Sequence, residues 1–217
     1  MIDGAIFDMD GVLVDNVEYH MRAWKQLGRE SGKILTEEAV RTVFGQRNRE
    51  IIGALISPSF SREELSRLAA RKEELYRGFM LPELKPVAGL QEFLDDLRKE
   101  GLKTAVATSG PNENVAMVLD GLGIRGYFDA VVTGADVTKS KPDPEIFLLA
   151  AQRLGLPPGH CVVFEDSASG IKAARRAGCP CIALATTHKP EELTAHSPDR
   201  IVLDFCGIRA SVLRGHL

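Results

Sequence analysis

The chain has 217 residues, a formal net charge of −3 and 44% hydrophobic residues, which is ample for a sizeable core. That charge offers no basic footprint for nucleic acid, and no apolar run approaches the ~20 residues needed to span a bilayer. The start lacks the basic-then-apolar pattern of a secretory signal. The four cysteines (Cys161, Cys179, Cys181, Cys206) form neither a C-x-x-C pair nor a zinc spacing, so they read as reduced thiols in a cytoplasmic protein.

The first predicted element is the apolar run "GAIF" (4–7), a buried strand by composition. It runs straight into Asp8, Met9, Asp10 and Gly11. Two acids this close repel unless a cation or a proton sits between them. A polar loop with an Asp-Gly turn is one reading; a metal-assisted site at a strand end is the other.

Residues 16 to about 82 carry helical patterns and no convincing strand: "EYHMRAWKQLGRES", "TEEAVRTVF", "REIIGALI" and "REELSRLAARKEELYRGFM". An all-helical insertion after the first strand implies a small second domain over 16–82. Residues 1–15 and 83–217 then form the larger domain, with Pro82 and Pro86 closing the insertion. Asp15 and Asn16 are suited to cap the first inserted helix and to mark a hinge.

Beyond Pro86 short apolar runs alternate with helical patterns. The strands are "KTAVAT" (103–108), "DAVVT" (129–133), "CVVF" (161–164), "CIAL" (181–184) and "RIVL" (200–203). The helices are "LQEFLDDLRKEG" (90–101), "NENVAMVLDGLG" (112–123), "PEIFLLAAQRLG" (144–155) and "SASGIKAARRAG" (167–178), each ending at a glycine. Such alternation specifies an α/β fold with a doubly wound parallel sheet. Ligands of such sheets bind beyond the carboxyl ends of the strands.

Four features fall just there. Asp8 and Asp10 follow the first strand, Ser109 and Gly110 the second, Lys141 comes soon after the third, and Glu165 and Asp166 follow the fourth. Magnesium takes a few carboxylates plus waters and phosphate oxygens. A phosphate needs hydroxyl and backbone N–H donors with a compensating cation. The set answers both needs.

The motifs "DMDGVLVD", "TSG", "KSKPDPEIF" and "FEDSASGI", in this order and with a helical insertion after the first, resemble the haloacid dehalogenase-like superfamily of phosphotransferases. The resemblance covers the whole chain and is closest to the β-phosphoglucomutase-like branch, through "EYHMRAWKQL" and "EDSASGI". It implies a Rossmann-like core with residues 16–82 as a helical cap. It implies Asp8 as the nucleophile that forms an aspartyl-phosphate, and Asp10 as the general acid and base. Mg2+ is the implied cofactor, on Asp8, the Asp10 backbone carbonyl and Asp166, with Glu165 acting through water or behind. Ser109, Gly110 and Lys141 are the implied phosphate-binding residues. Cap positions His20, Trp24 and Lys72 match residues that face the active site in the mutase branch, although packing in the cap core also suits Trp24. Arg47 and Arg49 are candidates for the distal part of the substrate.

The resemblance thus implies a Mg2+-dependent phosphatase of a small phosphorylated metabolite, monomeric, with no nucleic-acid or membrane partner. A β-phosphoglucomutase-type mutase is the alternative. Against it, Phe44 precedes Gly45 where the mutase branch has a lysine, and Asn48 stands at the spacing of its arginine. A 2-haloacid dehalogenase, which needs no acid for its leaving group, and a non-catalytic binding protein fit Asp10, Lys141 and Asp166 less well.

Overall fold

The computed structural model describes residues 1–43 and 47–214. After β1 (Gly4–Phe7) come four helices: α1 (Val17–Glu30), α2 (Glu37–Val43), α3 (Asn48–Leu55) and α4 (Arg62–Met80). Alternation then begins with α5 (Leu90–Lys99), β2 (Lys103–Ala107), α6 (Asn112–Gly121) and β3 (Ala130–Val132). It continues through α7 (Glu145–Leu154), β4 (Cys161–Glu165), α8 (Ala168–Ala177) and β5 (Cys181–Leu184). The short α9 (Pro190–Thr194), β6 (Arg200–Val202) and α10 (Ala210–Arg214) complete the described chain. The chain divides into two compact units, one of Met1–Asp15 with the chain from Lys85 onward, the other Asn16–Leu84. Among the described residues no helix is long and apolar enough to cross a membrane.

In the first unit all six strands run parallel in the order β3-β2-β1-β4-β5-β6. The chain builds outward from β1 to β3, then crosses back beside β1 to lay down β4. The strand order therefore reverses between β1 and β4, where an open α/β sheet leaves a crevice at its carboxyl edge.

Every residue of β1 and β4 is buried, as expected of parallel strands covered on both faces. On one face Ile6 and Val163 pack with Phe147 and Ala150 of α7 and Ala174 of α8. On the other, the paired residues Phe7 and Phe164 stack at 4.8 Å and 8° and meet Phe93 of α5 and Phe205. Burying a phenylalanine contributes roughly 1.5–3 kcal/mol. These two lie directly before Asp8 and Glu165, so the packing that stabilises the sheet also fixes the positions of the acids.

The second unit buries Met21, Trp24 and Leu27 of α1 against Val40, Ile51 and Ile52 of α2 and α3. α4 starts at a capping box: the Glu64 N–H donates to Ser61 Oγ (3.2 Å) and the Ser61 N–H to the Glu64 carboxylate (2.8 Å). The expected side-chain cap on α1 is absent. Asn16 occupies the N-cap position, but its amide donates instead to the buried Tyr76 hydroxyl at 2.6 Å, tying α1 to α4.

Candidate active site

Two carboxylates converge on one ammonium at the β1/β4 switch. Lys141 Nζ lies 2.6 Å from Asp8 Oδ1 and 2.7 Å from Glu165 Oε1, and its side chain is only 7% exposed. The Asp8 N–H donates to the Phe164 carbonyl (2.9 Å), which ties the residue after β1 to β4. Glu165 Oε2 accepts from the Asp166 and Ser167 N–H groups and the Ser167 hydroxyl at 2.8–2.9 Å. Ser167 in turn caps α8, its Oγ accepting from the Gly170 N–H at 3.1 Å. Asp166 completes the set: one ligand oxygen from each of Asp8, Glu165 and Asp166 lies within 4.8 Å of the others, and all three residues are buried.

The charges do not balance. Three carboxylates face one ammonium, a surplus of two negative charges if all are ionised. Burial pushes the Asp8 carboxyl up to about 7, with Glu165 and Asp10 adding to the rise against the opposing pull of Lys141. Burial likewise pushes Asp166 well up, reinforced by Glu165 and Asp8. Burial would also raise Glu165, but Lys141 and the Ser167 donors outweigh it and hold that carboxyl low. Lys141 is kept charged by Asp8 and Glu165, which outweigh its own desolvation. The cluster is therefore short of positive charge, and hard oxygen donors in this number suit a divalent cation.

Two glycines let these groups approach one another. Gly11 has φ +74, and a Cβ there would stand 2.0 Å from Asp166 Oδ2; at Gly170 a Cβ would stand 1.7 Å from Glu165 Oε1. No side chain fits at either place.

A profile of the haloacid dehalogenase-like hydrolases matches residues 2–178. The chain belongs to that family. It is 36% identical over 177 residues to a phosphorylated carbohydrates phosphatase of Thermotoga maritima, covering 82% of each chain. Its fold superposes with a TM-score of 0.91 on a haloacid dehalogenase hydrolase of family IA, variant 3, from Entamoeba histolytica, at 28% identity and covering 98% and 97% of the two chains. The β-phosphoglucomutase of Clostridium difficile gives a TM-score of 0.87 at 26% identity, covering 99% and 96%.

Within this haloacid dehalogenase-like core, Asp10 is half-buried just beyond Asp8 and bridges to Val14, in a tight loop where the Gly11 N–H donates to the Val14 carbonyl at 2.8 Å. Ser109 is exposed after β2. The Gly110 N–H donates to the hydroxyl of buried Thr108 at 3.0 Å. Pro111, not Ser109, holds the N-cap position of α6.

Two residues escaped the sequence reading altogether. Thr187 donates its hydroxyl to Asp166 Oδ2, and Thr186 donates to the Gly11 carbonyl at 2.5 Å. Both follow β5, at the same sheet edge as the predicted acids. The available signal was their position after a strand; threonine alone carries no charge to attract notice.

The candidates of the second unit divide into two groups. His20, Lys72 and Trp24 meet inside it. Lys72 Nζ lies 2.7 Å from His20 Nδ1 and 2.8 Å from Glu73 Oε1, and 5.3 Å from the centre of the Trp24 ring. The His20 ring stacks on Tyr76 at 3.9 Å. Trp24 is 1% exposed within the apolar cluster, a position that packing alone accounts for. Arg47 and Arg49 instead lie on the surface at the start of α3; Arg49 donates to Ser66 Oγ at 3.0 Å. Asn48 donates to Glu73 Oε1 at 2.6 Å. Burial would raise Glu73, but Lys72 and His20 overcome it and bring its carboxyl down to about 2. Phe44 and Gly45 lie outside the described residues.

Proposed function

We propose that the chain is a Mg2+-dependent phosphatase of a small phosphorylated metabolite, a sugar phosphate or similar phosphomonoester. The observation that carries this reading is the cation-poor grouping of Asp8, Glu165 and Asp166 at the β1/β4 switch, with Lys141 paired to the first two. Its relation to a phosphatase of phosphorylated carbohydrates points the same way.

Asp8 attacks phosphorus as the bond to the leaving oxygen breaks, giving an aspartyl-phosphate and an alcohol. Asp10 donates the proton that the departing oxygen needs. In the second half Asp10 takes a proton from water, which attacks the phosphorus and releases inorganic phosphate with Asp8 restored. Lys141 keeps the nucleophile oriented between two charged contacts and, with the Ser109 hydroxyl and the backbone at Gly110, holds phosphoryl oxygens. Asp8, Asp166 and the Asp10 backbone carbonyl are assigned to the metal, with Glu165 behind them. Bound Mg2+ neutralises phosphoryl charge, so that a carboxylate can approach a dianion.

Residues 16–82 are assigned the part of a cap that selects the leaving group, with His20, Lys72, Arg47 and Arg49 as its polar candidates and Trp24 as packing. The free, mostly buried thiols suit a reducing cytoplasm, and a monomer is the simplest assembly.

The likeness to a β-phosphoglucomutase favours a second reading, a phosphosugar mutase. A mutase needs a cationic subsite for the phosphate that is not reacting. Here Lys72 is already balanced by Glu73, and Asn48 is a neutral donor engaged with the same carboxylate. The hydrolase reading is preferred on that ground. Incubating the protein with a panel of phosphomonoesters, in Mg2+ and in EDTA, tests it. Metal-dependent release of inorganic phosphate is expected, with Ca2+ a poor substitute because it prefers more ligands at longer distance. Faster conversion of β-glucose 1-phosphate to glucose 6-phosphate than to free phosphate would establish the mutase instead.

A further inference from the structure

β5 ends at Leu184, and the turn that follows delivers two adjacent hydroxyls, one to the acid after β4 and one to the backbone of the loop after β1. Thr187 donates to Asp166 Oδ2. Thr186 donates to the Gly11 carbonyl at 2.5 Å, one residue beyond Asp10. The same Asp166 oxygen is pressed against Gly11, where a Cβ would stand 2.0 Å from Oδ2 and 2.7 Å from Thr187 Oγ1. One edge of the Asp166 carboxylate is therefore enclosed by a backbone and a hydroxyl.

The enclosure has a consequence for the cation site. A carboxylate has a broad, two-fold torsion about its last bond, so an aspartate on a loop presents its oxygens in many orientations. A donor fixed on one oxygen removes that freedom. Threonine suits the task because its β-branch restricts χ1, which places the hydroxyl without further support. The Thr186 contact holds the other wall, Gly11, at its distance.

We propose that Thr187 is a positioning residue of the divalent-cation site, acting through Asp166: its hydroxyl fixes the carboxylate rotation that keeps one oxygen grouped with Asp8 and Glu165. The proposal rests on the assignment of these acids to a metal. Removing a hydrogen-bond partner of a metal ligand typically weakens binding by about 10–100-fold.

Calorimetric titration of the protein with Mg2+ alone, without substrate, provides the test. Thr187→Val removes the hydroxyl at nearly constant shape, and Thr187→Ala removes it where the valine variant folds poorly. Binding at least ~10-fold weaker in these variants is expected, while Thr187→Ser stays within about threefold of the parent. Circular dichroism of the metal-free proteins should show that each variant keeps the parent fold. Parent-like affinity in both hydroxyl-free variants, or an equal loss in Thr187→Ser, would overturn the role of Thr187 and leave the metal assignment standing. Absence of Mg2+ binding by the parent itself would remove the metal assignment and this role with it.

Discussion

Asp8→Asn should make the metal-free protein more stable at neutral and higher pH while removing its activity. The Asp8 carboxyl is pushed from 3.8 to about 7, chiefly by burial and further by Glu165 and Asp10. In that interval the folded chain holds a proton that the unfolded chain has lost, so stability falls as pH rises from one value to the other. Each pH unit costs about 1.4 kcal/mol, or about 4 kcal/mol over the whole interval and about 3 kcal/mol between about pH 5 and pH 8. Asp166, raised by the same burial, adds in the same direction. The depressed acids Glu73 and Glu165 titrate below the ordinary carboxylate range and leave this window untouched. Urea unfolding in EDTA, followed by circular dichroism, reads the effect. Fluorescence suits it less, because the only tryptophan, Trp24, belongs to the other unit. The gap in stability between Asp8→Asn and the parent should widen by about 3 kcal/mol between about pH 5 and pH 8, and Mg2+ should narrow it by stabilising the parent. A gap that stays constant across this range would refute the charge-surplus argument.

Lys141→Met keeps the stem but strips the cation that lies 2.6 Å from Asp8 and 2.7 Å from Glu165. Urea titration in EDTA near pH 8 should show a loss of about 3–5 kcal/mol, shrinking towards about pH 5 as the carboxylates take up protons. In the helical unit, Glu73 is held down to about 2 from 4.5, so its contribution is complete above the unfolded value and is lost as pH falls through the folded one. Glu73→Gln should therefore remove about 3 kcal/mol near neutral pH and flatten the acid limb, as read by Trp24 fluorescence; an unchanged acid transition would count against the buried pair. Gly170→Ala places a Cβ 1.7 Å from Glu165 Oε1 and should expel that carboxylate from Lys141, lowering kcat at least ~10-fold. Gly53→Ala, with nothing within 4 Å of its Cβ, should instead stabilise helix α3 by up to ~1 kcal/mol, read by urea unfolding through Trp24 fluorescence.

Much of this architecture was legible from hydrophobic runs and their punctuation. "GAIF" and "CIAL" are strands over the very residues expected, and "DAVVT" shortens to Ala130–Val132 because only the central residues pair with β2. Asp8, Lys141, Glu165 and Asp166 were found because charged residues after apolar strands need a reason. What stayed hidden were neutral or camouflaged polar groups. Thr186 and Thr187 look like an ordinary turn. Glu73 sits in a run of charges, "ARKEEL", yet it is buried beside Lys72, which the resemblance had singled out. Only three-dimensional packing of α1 and α3 against α4 reveals that His20, Asn48, Lys72 and Glu73 share one network. Asn16 departs from a capping role for a related reason: its sequence position suits a cap, but its Nδ2 donates to a hydroxyl 60 residues away and its side chain makes no cap hydrogen bond.

Steady-state turnover of a phosphomonoester by Asp8→Asn in saturating Mg2+ addresses the nucleophile itself. The substitution keeps the side chain's shape and removes the oxygen charge that attacks phosphorus. Turnover at background, in a protein whose circular dichroism matches the parent, is the predicted result. Activity retained above about a hundredth of the parent would contradict an aspartyl-phosphate on Asp8.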